Sequence, residues 1–157
     1  MVDLDDHEAR SALAYADTLA GMCIANVSTT LPHSMGQPIS GRFPGISHGL
    51  SLALVYPGFF QLTHQSSIRK FAQIARLWNN DLLDVSDEEA AEASIDELDR
   101  FLTNLDLVTS LSDLAIPIDE LEGLIEDAME CPDTYVNPRV PSRVEVRDMF
   151  LKLWNTE

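Results

Sequence analysis

Residues 31–56 read LPHSMGQPISGRFPGISHGLSLALVY, a stretch in which helix signals alternate with helix breakers. Pro32 suits the first turn of a short helix that carries His33, because the N–H that proline lacks would be unpaired there anyway. We expect a loop over 38–45, after which Ser47 can cap a second helix that begins at His48. The stretch therefore predicts two helices joined by a loop, with an imidazole near the start of each.

Outside this stretch, apolar residues recur at the three- and four-residue spacing that is typical of one helix face. The pattern predicts further helices over 8–27 and 68–78, from Ser86 to about 105, after Pro117, and after Ser142. No segment shows the strict alternation of a strand. The sequence therefore predicts an all-α fold of about seven helices, forming a single domain over 1–157. The many alanines of 8–27 predict close packing on a neighbouring helix, with Cys23 as a packed apolar residue.

Composition excludes several classes of protein. Twenty-six acidic residues against ten basic ones give a formal charge of −16, which opposes binding to nucleic acid or to an anionic membrane surface. The longest apolar stretch, near 50–60, is too short and too interrupted for a bilayer-spanning helix. The start of the chain lacks a secretory pattern, and two cysteines give no disulfide framework, so we expect a cytoplasmic protein.

The acidic residues are distributed unevenly. Residues 18–80 contain no Asp or Glu, whereas residues 81–130 contain seventeen and a single basic residue, Arg100. A stretch that avoids carboxylates but keeps His, Ser, Thr, Gly and Pro is expected to face a ligand cleft. The acidic half is expected to form solvated helix faces, to which we assign no chemistry.

Three residues of the opening stretch are candidates for a site. His33 and His48, presented by adjacent helices, could supply two nitrogen ligands to one divalent metal, and Gln37 shares a helix face with His33. Two ligands are fewer than the three or four that a stable site usually needs, and the stretch holds no carboxylate. The alternative is that both histidines are helix-start residues that hydrogen-bond to backbone groups, and spacing alone leaves the two readings open.

Several motifs extend the pattern beyond this stretch: AGMCIANV at 20–27, PHSMGQPISGRF at 32–43, ISHGLSLALVYP at 46–57, KFAQIAR at 70–76, AIPIDEL at 115–121 and NPR at 137–139. Together they resemble the C-terminal half of the iron-containing (group III) alcohol dehydrogenases, over essentially the whole chain. The resemblance implies the helical, metal-carrying domain of a two-domain, dehydroquinate synthase-like enzyme. On this basis the dinucleotide-binding N-terminal domain is expected to be absent from this chain.

The resemblance also implies roles for individual residues. By motif match, His33 and His48 are ligands of a divalent metal, and Gln37 is a neighbour of the substrate where many members of the family have another histidine. An amide at this position can orient a substrate or water but cannot titrate near neutral pH. The further candidates for cleft residues are Phe43, Phe60, Cys131 and Asn137.

The family's remaining metal ligands come from a D-x-x-x-H motif, and Asp3 and His7 have this spacing. We do not assign them to the metal, because His7 directly precedes a helix of about 20 residues, roughly 30 Å long, which would place it at the far end from His33. His7 and His64 are instead expected to be surface residues at helix ends.

The implied chemistry is hydride transfer between an alcohol or aldehyde and NAD(P), with Fe(II) or Zn(II) as Lewis acid. NAD(P) would be bound by the missing Rossmann-like domain or subunit, so the isolated chain is expected to be inactive. Two alternatives stay open: a carbonyl or maleylacetate-type reductase of the same superfamily, and a non-catalytic helical module that forms a homo-oligomer or docks another subunit through its carboxylate-free surface.

Overall fold

The computed structural model describes residues 5–154, and within that range the chain is helical and contains no strand. Three short 3-10 turns, 64–66, 80–82 and 132–134, link helices, and a fourth, 118–120, leads directly into one. The predicted all-α fold is confirmed. The seven α-helices in this range are α1 (His7–Asn26), α2 (Leu31–Arg42), α3 (His48–Thr63), α4 (Ile68–Trp78), α5 (Asp87–Asn104), α6 (Leu121–Glu130) and α7 (Arg143–Trp154).

Side-chain caps explain where several helices begin. The Ser47 hydroxyl accepts a hydrogen bond from the Leu50 N–H at 3.3 Å, and Ser86 caps α5 in the same way through the Glu89 N–H. At α7 the cap is reciprocal, because Ser142 accepts from the Glu145 N–H while the Glu145 carboxylate accepts from the Ser142 N–H. These serines satisfy N–H groups that have no partner inside the helix.

One boundary differs from the sequence prediction. The expected loop over 38–45 is shorter, since α2 continues through Pro38 to Arg42 and only 43–47 separate α2 from α3. Proline inside a helix removes one backbone hydrogen bond. Met35 and Ile39, fully buried on one face of α2, show that packing against α3 and α6 outweighs this cost.

Two apolar clusters form the interior. The first is built by α2, α3, α6 and α7, with Met35, Val55, Ile125 and Phe150 fully buried in it. The second is built by α3, α4 and α5 around Phe60 and Phe71. Helix α3 contributes to both, because Leu54 and Val55 face the first cluster while Ala53 and Phe60 face the second.

Helix α1 lies outside both clusters, and every one of its residues is exposed. Leu13 and Tyr15 are 71% and 66% exposed, and Cys23 is an exposed free thiol. The prediction that this helix packs closely on a neighbour was therefore wrong for residues 5–154. Periodicity identifies a small-residue face but does not show that a partner faces it.

Two polar residues that the sequence predicts at the surface, His64 and Glu97, are buried in the structure. His64 is buried: its Nδ1 lies 2.9 Å from the Phe60 carbonyl and its Nε2 lies 2.8 Å from the Glu92 carboxylate. Glu97, in the acidic half, is buried and accepts hydrogen bonds from Asn79 and Arg100. His7 is exposed as predicted, whereas Asp3 lies outside the described residues.

None of the helices within residues 5–154 combines the length and the apolar character needed to cross a bilayer.

Candidate metal centre

The two sequence-predicted histidines face each other where α2 and α3 begin. His33 lies in the first turn of α2, and His48 is the first residue of α3. Their ring centroids are 5.2 Å apart and their planes are inclined by 60°. His33 is half-buried and His48 is exposed, so the imidazole pair is anchored on one side and reaches solvent on the other.

The surroundings of His33 favour its neutral form. Burial, together with the neighbouring His48, lowers the pKa of His33, and the Asp133 carboxylate opposes the shift only in part. A neutral imidazole keeps a nitrogen lone pair, which is the form that binds a metal ion.

Asp133 is a residue of this region that the sequence analysis missed. Its carboxylate accepts a hydrogen bond from Ser28 Oγ at 2.5 Å and another from Thr29 Oγ1. Burial acts to raise the pKa of Asp133, but these two hydrogen bonds and the nearby His33 outweigh it, so the pKa is lowered. Asp133 ties the segment before α2 to the 132–134 turn. No local pattern reveals a contact between residues about 100 positions apart.

The donor chemistry fits a borderline divalent metal. Two imidazole nitrogens suit Fe(II) or Zn(II) better than they suit magnesium or calcium, which prefer oxygen ligands. In the part of the chain that the structure describes, no group of three or more His, Cys, Asp or Glu side chains is arranged to hold an ion. The described residues therefore offer two candidate ligands, and a complete coordination shell would need further donors.

Two more candidates lie on or beside α2. Gln37 is exposed one helical turn after His33, on the face that the sequence predicts. Phe43 follows the last residue of α2, is half-buried and packs against the first apolar cluster. Phe43 thus has a packing role in the core.

Two further candidates, Cys131 and Asn137, lie in the loop after α6, and the structure places them in different surroundings. Cys131, a half-buried free thiol, lies two residues before Asp133. Asn137 is buried and donates to Thr63 Oγ1 at 3.1 Å and to the Arg139 carbonyl at 2.8 Å. Since Thr63 ends α3, these bonds hold Asn137 roughly 22 Å along the helix from His48. Asn137 braces α3 against the loop, and the structure does not bring it to the imidazole pair. Phe60 is likewise buried, in the second cluster.

A groove of about 950 Å³ lies elsewhere on the domain, and neither imidazole lines it. It runs between α3, α5 and α7, and its lining mixes apolar residues with Asp99, Glu145 and Lys152. Burial, followed by repulsion from Asp96, raises the pKa of Asp99. The groove brings no set of metal-binding side chains together in the described part of the chain. The candidate site is therefore the imidazole pair, whose nitrogen atoms can bind a metal ion.

Fold and site together define a helical domain that brings two imidazoles together at the start of adjacent helices. The chain belongs to the Fe-containing alcohol dehydrogenase family, whose C-terminal domain it matches over residues 1–154. The resemblance drawn from the sequence motifs is thereby confirmed.

Individual relatives agree with this assignment. The NAD-dependent methanol dehydrogenase of Bacillus methanolicus is 29% identical over 146 residues, which cover 93% of this chain and 38% of that enzyme. The choline dehydrogenase of Bacillus subtilis (strain 168) is 32% identical over 137 residues, covering 87% of this chain and 34% of that enzyme.

Solved structures confirm the fold. A crystal structure of 1,3-propanediol oxidoreductase has a TM-score of 0.85 and 26% identity, covering 96% of this chain and 39% of that one. The archaeal halo-thermophilic alcohol dehydrogenase from a Red Sea brine pool has a TM-score of 0.80 and 32% identity, covering 94% and 38%. The chain thus spans little more than a third of the length of these relatives.

Proposed function

We propose that this chain is the metal-binding, substrate-facing part of an NAD(P)-dependent alcohol dehydrogenase that interconverts alcohols and aldehydes. The observation that carries the proposal is the imidazole pair of His33 and His48, whose ring centroids lie 5.2 Å apart in a domain of this family. A bound Fe(II) or Zn(II) ion would supply Lewis-acid polarisation of the alcohol oxygen.

The chain's own residues have three tasks in this proposal. His33 and His48 hold the metal, and the half-buried position of His33 keeps its ring neutral and ready to bind. Gln37, one turn further along α2, orients substrate or water by hydrogen bonding. Asp133 keeps the start of α2 in place through Ser28 and Thr29.

We propose further that the nicotinamide is held by a separate dinucleotide-binding unit. A relative named as an NAD-dependent methanol dehydrogenase is much longer than the matched region, and residues 5–154 contain no strand that could lead into a glycine-rich phosphate-binding turn. Hydride transfer would then take place where the two units meet, with alcohol or aldehyde bound between them.

Cobalt(II) binding followed by visible absorption tests the metal-binding role without requiring turnover. We expect the metal-free chain to bind Co(II) with a change in its d–d absorption, and His33→Ala and His48→Ala each to abolish that change. His7→Ala is the matched control, since His7 is an exposed imidazole on α1, and it should bind like the unmodified chain. Binding that survives the loss of both His33 and His48, or no binding by the unmodified chain, would refute this role.

A second candidate role is self-association through α1. The observation that favours this role is that every residue of α1 is exposed, including Leu19, Met22 and Ile24. Contiguous apolar surface that is exposed to solvent commonly forms an interface. Light scattering should show a mass that rises with concentration, and Leu19→Glu should restore a monomer. A mass that stays monomeric at all concentrations would exclude this role.

A further inference from the structure

Helices α3, α4 and α5 line an open pocket of about 440 Å³ on the second apolar cluster. This volume falls within the range of pockets that bind small molecules. The residues that define its shape are Gly49, Leu52 and Tyr56 of α3, Ile74 and Trp78 of α4, and Phe101 of α5.

The lining of the pocket is almost entirely apolar. No charged residue lines the pocket, and its polar side-chain groups are the Tyr56 hydroxyl and the Trp78 indole N–H. A strongly polar or charged ligand would lose its hydration here and gain few hydrogen bonds in return, which is costly. A hydrocarbon group gains free energy from the same transfer.

Aromatic rings give the pocket a flat wall. Trp78 stacks on Phe101, with ring centroids 5.3 Å apart and planes inclined by 18°, and it is nearly parallel to Phe60, with centroids 6.2 Å apart and planes inclined by 22°. These rings are in contact and leave no gap between them, so an alkyl chain or an aryl ring would lie against their wall, in the slot between it and α3. Trp78 is still 36% exposed, so the slot is open to solvent.

The slot begins beside the candidate metal centre. Gly49 is the residue after His48, and Gly49, Leu52 and Tyr56 follow one face of α3 at helical spacing. From Gly49 to Tyr56 the helix rises roughly 10 Å. A molecule whose oxygen lies near the imidazole pair therefore has an apolar path that leads away along α3.

We propose that this slot binds the hydrocarbon tail of the substrate, so that the domain selects alcohols or aldehydes with an alkyl or aryl tail over small diols. The inference rests on the proposed function for the identity of the substrate, but binding of the tail requires neither metal nor NAD(P). A failed cobalt titration and a failed tail-binding measurement are therefore distinguishable.

The test uses the fluorescence of Trp78. The chain has two tryptophans, and Trp154 is buried in the first cluster, so Trp154→Phe leaves Trp78 as the reporter. Titration with 1-butanol, 1-hexanol and 1-octanol should give a saturable change in emission, with the affinity rising about fourfold for each added methylene. 1,3-Propanediol should give no saturable change. A response that does not depend on chain length would overturn the proposal.

A pocket variant with a matched control locates the binding site. A Cβ added at Gly49 meets no atom within 4 Å, so Gly49→Leu is tolerated by the helix but places an isobutyl group at the start of the slot. We expect 1-octanol to bind about tenfold more weakly to this variant. Gly41→Leu, equally open in α2, should bind like the parent. Unchanged binding of 1-octanol by Gly49→Leu would show that the slot does not bind the tail.

Discussion

The contact between α2 and α3 at Gly36 sets the spacing of the two helices that carry the imidazoles. A Cβ placed on Gly36 would lie 3.0 Å from Leu52 Cδ2 and 3.2 Å from Ser51 Oγ, closer than ordinary van der Waals contact. Ser51 is buried and donates to the His48 carbonyl at 2.8 Å, so its hydroxyl is not free to move. Gly36→Ala therefore forces the two helices apart or displaces Leu52.

The magnitude follows from two opposing effects. Overpacking of this kind costs about 1–3 kcal/mol, and the lower half of that range applies because the Leu52 methyl group can shift. Alanine also gains up to about 1 kcal/mol over glycine through helix propensity. Gly41→Ala, in the same helix but with no atom within 4 Å of the added methyl group, receives the propensity gain alone. We expect the two variants to differ by about 1–2 kcal/mol in the free energy of unfolding, with Gly36→Ala the less stable.

Urea unfolding followed by far-ultraviolet circular dichroism measures this difference directly. Both variants should keep the parent m-value, so that the midpoints report stability. Since Gly36→Ala alters the spacing of α2 and α3, it should also weaken cobalt binding, whereas Gly41→Ala should not. A Gly36→Ala protein as stable as Gly41→Ala would refute the argument that close packing at Gly36 sets the spacing of these helices.

Two further predictions concern the supports of the site. Asp133→Asn should lower the free energy of unfolding by about 1 kcal/mol near neutral pH, since a charged acceptor of two hydrogen bonds is lost at a partly exposed site. The folded-state pKa of Asp133 is lowered, so the stabilisation by its carboxylate is present above about pH 4 and is lost as the pH falls below that. Urea unfolding at neutral pH and again below about pH 4 should show that the difference in stability between variant and parent shrinks at the lower pH. Asn137→Ala should cost about 2 kcal/mol, because two buried hydrogen bonds are lost, yet leave cobalt binding unchanged; weakened cobalt binding in a folded Asn137→Ala protein would show that this residue acts on the site.

Local signals in the sequence predicted the helices well. The spacing over 68–78 matches α4 in full, and Ser86 and Ser142 cap the helices that they were expected to begin. These features depend on residues within one or two turns of each other. Pro38 misled the prediction because the burial of Met35 and Ile39, which keeps α2 intact, depends on helices distant in the sequence.

The sequence predicted only part of the candidate site. The motifs singled out His33 and His48 as a pair, and the structure places their ring centroids 5.2 Å apart. Asp133 stayed hidden, because its contacts with Ser28 and Thr29 join positions about 100 residues apart. Asn137, selected by motif, proved to be a buried brace. Periodicity and motif spacing do not show which polar residues the fold will enclose.

The sharing of α3 between two apolar clusters has a consequence for the molecule's fluctuations. Native proteins open in cooperative units that follow packed substructures. Separation of α4 and α5 from α3 would open the aromatic slot but leave α2, α6 and α7 packed on the other side of α3, with both imidazoles in place. Backbone amides of α2 and of α5 can therefore exchange with solvent deuterium through different opening motions of the fold. A ligand bound in the slot would slow exchange in α4 and α5 more than in α2.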